Sequence, residues 1–321
     1  MNQIATIASV SPGAMTLFRD DMDAAGAFLA AEKSTATVRA YRSDFRIFAA
    51  YCDARGLAAL PAHPDTVMAF LAAEATGGAK ASTLGRRVAA IRYAHKAAGH
   101  EPPTNRETVK AVMRGIRRTI GAAPERKEAA TAGRVADMVA AIPDTLAGKR
   151  DRALLVLGFA GAFRRSELVA LTVADLIEAE GGFRVLIRKS KTDQEGQGQE
   201  IAIPNGGKLR PVEAVRAWLA AAGITEGPLF RPITRGGKVQ PAALTDRSVA
   251  SIVKAYAERA GLDPAAYAGH SLRAGFLTTA AEHGASVFKM MEVSRHKSVD
   301  TLRGYVRRAD LFKDHAGAAF L

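Results

Sequence analysis

The sequence predicts a mainly α-helical protein of two domains, with one small β-hairpin in the second domain. Apolar residues recur at steps of three and four along most of the chain, and its richness in alanine also favours helix. One pair of segments alternates with the period of two that indicates strands. A polar stretch with glycine and proline separates the patterned blocks and predicts a linker. The expected division is a flexible arm, 1–18, a helical domain, 19–120, a linker, 121–130, and a second domain with a C-terminal tail, 131–321.

The first domain is predicted to contain four amphipathic helices. The first helix places five side chains on one face: Val38, Tyr41, Phe45, Phe48 and Cys52. A second helix begins at Pro64, and Ser82 can cap the third. The fourth helix carries Val109 and Met113 on its apolar face.

Basic side chains occupy the outer faces of these helices, with few compensating acids. The candidates for contact with a polyanion are Arg39, Arg42, Arg46, Arg86, Arg87, Arg92, Lys96, Arg114, Arg117 and Arg118. A single basic face is usually solvated surface, but several of them on a chain of net charge +13 favour a clamp on nucleic-acid phosphates. DNA is therefore the first candidate partner, ahead of an anionic membrane surface.

Several other classes of protein do not fit this composition. No run approaches the roughly 18 apolar residues of a membrane-spanning helix, and the acids Asp20, Asp21 and Asp23 do not suit a signal peptide. Cys52 is the only cysteine, which excludes an internal disulfide and a cysteine-based zinc cluster. No clustered carboxylates suggest a two-metal site. We expect a cytoplasmic, nucleoid-associated protein that needs neither metal nor cofactor.

The second domain combines helices with the predicted hairpin. Helical periodicity resumes near Thr131 and again from Asp151 to Phe163. Two segments, Phe183–Arg188 and Glu200–Ile203, flank a polar tip and predict the hairpin. A later helix stops at Gly261.

Two short motifs in this domain can hold a phosphate. Arg164 follows an apolar helix, and Glu167, three residues on, can orient its guanidinium from behind. His270 and Arg273 also lie three apart and so project from one face of a helix. Arginine offers a planar fork to two oxygens, and histidine exchanges a proton near neutral pH.

A tyrosine and a lysine complete the candidate set. Tyr305 follows His296 by nine residues and offers a phenol as nucleophile. Lys189 and Lys191 lie on one side of the hairpin near its tip, where an amine can protonate a leaving oxygen. Each residue alone is more often ordinary surface or core. Their order and spacing indicate attack on a phosphodiester without a metal.

These motifs resemble the phage integrase family of tyrosine recombinases. The residues that match the family pattern are Arg164 with Glu167-Leu168, Lys191 in Ser190-Lys191-Thr192, His270 with Arg273, His296, and Tyr305. The stretch 109–118 also resembles the end of the family's core-binding domain, so the likeness covers residues 20 to 315. It implies an all-helical core-binding domain followed by an α+β catalytic domain.

Three positions leave the match open. Arg165 stands beside Arg164, although the Arg-x-x-Glu-Leu spacing favours Arg164. Lys189 competes with Lys191, which is favoured by the following threonine. Arg295 precedes the histidine where many members have glycine, and it either tightens that turn or contacts a phosphate.

The resemblance implies a covalent mechanism. Tyr305 attacks the scissile phosphate to form a 3′-phosphotyrosyl link, while Arg164 and Arg273 clamp the non-bridging oxygens. The remaining implied roles are proton transfer by His270, protonation of the 5′-oxygen by Lys191, a hydrogen bond to the phosphate from His296, and architectural support from Glu167. Rejoining needs no ATP, and the chain contains no Walker A sequence.

The resemblance also implies an assembly. Two domains close around double-stranded DNA at a specific site, and a homotetramer exchanges strands between two sites through a Holliday junction. The apolar tail residues Leu311, Phe312, Phe320 and Leu321 would pack into a neighbouring protomer, the alternative being their own domain. The target sequence, the biological role and the need for accessory proteins stay open.

Two other functions share these features. A type IB topoisomerase uses the same chemistry to relax supercoiled DNA as a monomer. A non-catalytic DNA-binding regulator could keep the fold, although the complete catalytic set argues against it.

Overall fold

The computed structural model of the protein describes residues 21–26, 28, 31–123, 127–188 and 198–309, with the backbone alone at 307–309. The chain divides into two compact units, residues 1–125 and 126–321. The predicted fold class is confirmed, since helices dominate both units and the second contains a small antiparallel sheet. None of the helices in the described part of the chain has the length and apolar composition of a membrane span.

The N-terminal unit is a helical bundle. Its helices are α1 (Thr35–Asp53), α2 (Pro64–Thr76), α3 (Ala81–Ala97) and α4 (Glu107–Ile120), with a 3₁₀ turn at Pro103–Asn105. Ser34 caps α1 by accepting a hydrogen bond from the amide of Thr37, and Pro64 occupies the first turn of α2, where no amide hydrogen is needed. Phe48 and Phe70 meet edge to face in the core, with ring centroids 5.1 Å apart.

The start of α3 differs from the prediction. Lys80 is the N-cap residue and Ser82 lies inside the helix, so the proposed serine cap is wrong. The amide of Ala79 bonds to the carbonyl of Glu74 and closes the preceding helix. The chain therefore turns extended at Lys80, and α3 begins one residue before the serine.

A buried histidine joins α3 to the loop before α2. His95 is fully buried; its Nδ1 lies 2.8 Å from the carbonyl of Ile91, and its Nε2 accepts from the amide of Ala62 at 2.9 Å. Because Nε2 is the acceptor, the proton belongs on Nδ1. Burial lowers the pKa of His95, which keeps the ring neutral.

The C-terminal unit contains eight described helices and three strands. The helices are α5 (Ala132–Ala140), α6 (Leu146–Ala160), α7 (Arg165–Ala170), α8 (Pro211–Ala222), α9 (Asp246–Arg259), α10 (Ser271–Glu282), α11 (Val287–Ser294) and α12 (Val299–Ala309). The strands are β1 (Leu176–Ala179), β2 (Gly182–Ile187) and β3 (Gln199–Pro204), in the order β1-β2-β3 with antiparallel pairing. Short 3₁₀ turns lie at Val173–Asp175 and Pro264–Ala266.

The predicted hairpin is present, with Val185 opposite Ile201 and Phe183 opposite Ile203. Its inward side chains alternate along both strands, as the period of two requires. Strand β1 was not predicted. Helix α6 also starts earlier than predicted, because Thr145 caps it by accepting from the amide of Gly148.

Helix α6 lies at the centre of this unit. Its residues 153–157 are fully buried, and the core extends to the hairpin and to α8 and α9. The segment before α5 packs on α10, where the amide of Ala130 bonds to the carbonyl of Ser271 at 2.9 Å. Gly275 permits this approach, because a Cβ there would lie 1.7 Å from the Ala130 oxygen. The end of the predicted linker is thus held on the second unit.

Candidate active site

Arg164 and Glu167 form a closed pair at the start of α7. Arg164 is the N-cap residue, and the carboxylate of Glu167 in the first turn accepts from its amide at 2.9 Å and from its Nη1 at 2.6 Å. This is the geometry of a capping box, in which an acid at the third helical position bonds back to the cap. The side chains are 14% and 1% exposed, so the pair faces the interior.

The neighbouring arginine points elsewhere. Arg165 is half exposed and pairs with Asp246 at 3.1 Å. Arg164, by contrast, lies close enough to Arg273 and His296 to affect the pKa of both. The structure therefore brings Arg164, rather than Arg165, into the cluster.

Arg273 is fully buried in the first turn of α10. Its Nη1 donates to the carbonyl of Ala162 at 2.7 Å, and its Nη2 lies 3.1 Å from Nε2 of His296. Burial, together with the charges of Arg164 and Arg295, lowers the pKa of Arg273 to about 9. The guanidinium is still charged at neutral pH. A bound anion would offset both the cost of burying this charge and its repulsion by Arg164 and Arg295.

His296 is held as a neutral ring. Burial and the charge of Arg273 lower its pKa to about 4. Arginine can only donate, so Nε2 of His296 accepts from Arg273. Nδ1 then carries the proton and donates to Oγ of Ser294 at 2.8 Å, while that hydroxyl donates to the carbonyl of Met290. These partners assign the tautomer.

His270 and Tyr305 lie beside the same cluster. His270 is the exposed N-cap residue of α10 and lies near enough to His296 to lower the pKa of that ring. Tyr305 is partly buried on α12, packs against a small core that includes Leu302, and raises the pKa of Arg273 electrostatically. Six of the seven predicted site residues are thus brought together. Lys191 and its alternative Lys189 lie outside the described residues.

The sequence did not reveal that Arg295 is an internal part of the site. Its side chain is 2% exposed and bonds Glu167 Oε2 at 2.7 Å. The backbone there is left-handed, with φ 58°. The only signal was an arginine in place of the glycine that many family members have.

The predicted basic residues of the N-terminal unit separate into three groups. Arg39, Arg42 and Arg46 line one concave surface along α1. Arg86 instead pairs with buried Asp44 at 2.6 Å. The expectation that Arg87 lies outside is wrong, since its side chain is 13% exposed.

Partners on the protein account for the second group. The guanidinium of Arg87 pairs with Glu74 and lies over the Phe70 ring, which draws it inward from the helix surface. Arg92 bonds to Thr104 at 3.3 Å, and Arg114 to Glu107 at 2.6 Å. Lys96, Arg117 and Arg118 are exposed as expected. Among the described residues, no three His, Cys, Asp or Glu side chains are grouped to hold a metal ion.

Two family models match the chain. The model described as the phage integrase family matches residues 129–311, and the model described as the phage integrase N-terminal SAM-like domain matches residues 26–101. The integrase/recombinase xerD homolog of Selenomonas ruminantium is 41% identical over 295 residues, covering 89% of this chain and 86% of that protein. The recombinase cre of Escherichia phage P1 is 26% identical, covering 95% and 91%. The motif pattern resembles that of Cre, and the likeness over the whole sequence is distant.

Solved structures share the fold. A lambda integrase dimer bound to a COC′ core site superimposes with a TM-score of 0.59 at 17% identity, covering 93% of this chain and 82% of that one. The XerH site-specific recombinase in a post-cleavage complex gives 0.59 at 16% identity, covering 80% and 72%. The family model spanning the second unit and the 41% identical relative settle the classification. The chain belongs to the phage integrase family of tyrosine recombinases and is a site-specific DNA recombinase.

Proposed function

We propose that the chain cleaves and rejoins DNA through a 3′-phosphotyrosyl intermediate, with Tyr305 as the nucleophile. One observation carries the proposal: Tyr305 lies within electrostatic reach of buried Arg273, which neighbours Arg164 and His296. A phenol beside two guanidinium groups and neutral histidine can bind and attack a phosphodiester without a metal.

Charge at the cluster supports phosphate binding. Arg164, Arg273 and Arg295 share one neighbouring carboxylate, that of Glu167. The Nε of Arg273 has no acceptor among the described residues, and a buried donor of this kind is costly. A non-bridging phosphate oxygen is the acceptor that we assign to it. The guanidinium groups would then stabilise the charge of the pentavalent transition state.

The chemical step conserves the number of phosphodiester bonds. The Tyr305 oxygen forms a bond to phosphorus as the bond from phosphorus to the 5′-oxygen breaks. His270 takes part in proton transfer from the phenol, and Lys191 on the hairpin gives a proton to the leaving 5′-oxygen. A 5′-hydroxyl of the second duplex then attacks the phosphotyrosine and releases the tyrosine, so strands are exchanged through a Holliday junction without ATP.

His296 must change partner to act as a donor. In this structure its Nε2 accepts from Arg273 and its Nδ1 carries the proton. A phosphate oxygen that takes over the Arg273 contact frees Nε2, and the other tautomer can then donate to the phosphate. A low pKa suits this role, because the ring stays neutral in both tautomers.

The N-terminal unit and the C-terminal tail would supply DNA contact and assembly. The concave row of Arg39, Arg42 and Arg46 suits a phosphate backbone, and the XerH and lambda integrase structures of the same fold contain DNA. For assembly we propose a homotetramer on two sites. The tail that would join protomers lies outside the described residues, but Phe288 on α11 is 81% exposed and offers it an apolar contact.

The central test traps the covalent intermediate on a nicked suicide substrate. Its DNA sequence would come from selecting bound and recombined sites in a genomic pool. Tyr305→Phe should bind this DNA but form no covalent adduct. Tyr51→Phe is the control, because this ring packs on Phe70 in the N-terminal unit. An adduct with Tyr305→Phe would disprove the nucleophile assignment. Lys191→Ala should recover cleavage on a substrate with a 5′-phosphorothiolate leaving group, and failure would favour Lys189.

Two assays address the alternatives and the assembly. Relaxation of a plasmid without a recognition site would favour the topoisomerase, and absence of any covalent adduct would favour the regulator. Removing residues 308–321 should impair tetramer formation on DNA, as measured by sedimentation, more than it weakens DNA binding. Phe288→Ser should show the same defect. Normal tetramers in both variants would refute the tail contact.

A further inference from the structure

Arg295 is built into the interior of the second unit. It ends α11 with φ 58° and ψ 40°, and its side chain is 2% exposed. Glycine adopts this left-handed conformation without steric cost, whereas a residue with a Cβ is strained there. Contacts of the side chain must therefore offset the strain of the backbone.

The guanidinium of Arg295 bridges two distant segments. Its Nη1 donates to the carbonyl of Gly161 at 3.0 Å and also to that of Val293. Its Nη2 donates to the carbonyl of Ala162 at 3.1 Å and to Oε2 of Glu167 at 2.7 Å. Both η nitrogens are engaged within the protein and the side chain is 2% exposed, so we assign it no phosphate contact, although its Nε has no acceptor among the described residues.

Glu167 is shared between two arginines. Oε1 accepts from Nη1 of Arg164, and Oε2 accepts from the Arg164 amide and from Nη2 of Arg295. Burial opposes ionisation of Glu167, but Arg295 and Arg164 outweigh it and lower the pKa of the carboxyl. The carboxylate is thus ionised and fixed from both sides.

The carbonyl of Ala162 is shared in the same way. It accepts from Nη1 of Arg273 at 2.7 Å and from Nη2 of Arg295 at 3.1 Å. Arg295 thereby connects the turn that precedes Arg164 with the loop that carries His296. It also donates to the Ala162 carbonyl, which accepts a hydrogen bond from Arg273.

We propose that Arg295 is a positioning residue for DNA cleavage, which fixes the spacing of the Arg164 and Arg273 guanidinium groups by holding Glu167 and the Ala162 carbonyl. The proposal rests on the proposed function of this site. In this role Arg295 acts through Arg164 and Arg273 and not by contact with the reacting atoms. Without it, one side of the Glu167 carboxylate is free, and Arg164 loses its fixed orientation.

Two variants, Arg295→Gly and Arg295→Lys, test this role in single-turnover adduct formation on the nicked substrate. Arg295→Gly relieves the backbone strain and removes the guanidinium. We expect DNA binding within about twofold of the wild type and adduct formation about 10²-fold slower, since small displacements of catalytic groups have effects of this size. Guanidinium chloride, at concentrations too low to unfold the protein, should restore part of the rate. Arg216→Ala is the control, because that arginine lies in an exposed pair with Glu178.

The pH profile separates positioning from simple structural support. In Arg295→Gly the Glu167 carboxyl loses one of its two cations, so its pKa rises above the wild-type value. Adduct formation by the variant should therefore fall as pH is lowered, over a range in which the wild type is constant. Arg295→Lys keeps the charge but lacks the planar fork, so its rate should be intermediate.

The outcomes distinguish failure of the proposed function from failure of the positioning role of Arg295. No adduct from the wild-type protein would refute the proposed function itself. A wild-type adduct with an undiminished Arg295→Gly rate would refute only the positioning role. A slow variant that neither guanidinium nor high pH improves would reduce Arg295 to a structural residue. If Arg295→Gly does not fold, a wild-type rate in Arg295→Lys would overturn the proposal.

Discussion

At the scale of single residues, Arg273 combines burial with like charge. Its pKa falls to about 9 because it is buried beside Arg164 and Arg295, and its fork is divided between Ala162 and His296. Lysine carries the charge but cannot make both directed contacts. Arg273→Lys should therefore lower the rate of adduct formation about 10² to 10³-fold, the effect of losing one oxyanion donor. Quench-flow measurement would check this. A rate equal to that of the control Arg216→Lys would contradict the clamp.

His95 makes the N-terminal unit sensitive to acid. Its folded pKa lies below the ordinary value of 6.5, so below that pH the unfolded chain binds a proton that the folded chain does not. Stability should therefore decrease as pH falls from about 6.5 toward the folded pKa. His95→Gln should be less stable at neutral pH by about 1–3 kcal/mol, because buried partners lose a hydrogen bond. Urea unfolding between pH 7.5 and 5 measures both effects. If the free energy of unfolding depended on pH in the same way in the wild type and in His95→Gln, this account would be contradicted.

The motifs predicted candidate site residues but not the contacts that surround them. Arg164 and Arg273 became candidates because each belongs to a short local pattern that matches the motifs of the family. The contact between Arg295 and Glu167 joins residues 128 apart in the sequence. No local pattern reports such a pair. An arginine that is buried by its partners looks the same in the sequence as one exposed to water, which also explains the error at Arg87.

At the scale of elements, periodicity decides what could be predicted. Helices α1 and α9 have long apolar stripes and were found with their buried faces, and the hairpin strands alternate cleanly. Strand β1 is only four residues long, and none of them is fully buried, so neither pattern develops. The predicted start of helix α6, Asp151, lies after the observed start, Leu146. The reason is that Lys149, Arg150 and Arg152 interrupt the apolar pattern near the start of the helix.

Gly275 predicts how tightly α10 must pack. A Cβ at this position would lie 1.7 Å from the Ala130 carbonyl oxygen, so the backbone itself has to move. Gly275→Ala should lower the free energy of unfolding by about 1–3 kcal/mol or more, as overpacked cores do. It should also slow adduct formation, because α10 carries Arg273.

Gly133 in α5 is the matched control for this change. No atom lies within 4 Å of a Cβ built there. Gly133→Ala should be neutral or more stable by about 0.5–1 kcal/mol, since alanine favours helix. Thermal unfolding of both variants makes the comparison. Equal stability of the two would show that α10 can shift without cost.

At the scale of the whole molecule, the chain carries two separate devices. The N-terminal unit matches the SAM-like model over residues 26–101 and carries the row of arginines, whereas the second unit matches the integrase model over 129–311 and carries the candidate active site. Composition predicted that the N-terminal unit has basic surfaces, but not which basic residues form them. Which basic residues remain available depends on acids such as Asp44 and Glu74 that reach them through the fold.

The basic charge of the protein, +13 in total, leads to a quantitative prediction for the row of arginines on α1. Each phosphate that a cation neutralises contributes about 0.9 to the slope of log K against log salt. If Arg39, Arg42 and Arg46 each contact one phosphate, changing all three to glutamine should reduce the slope by roughly three. Arg216→Gln should leave it unchanged, because that arginine is paired with Glu178. Fluorescence anisotropy between 50 and about 200 mM salt gives the slope. An unchanged slope in the triple variant would move the phosphate contact away from α1.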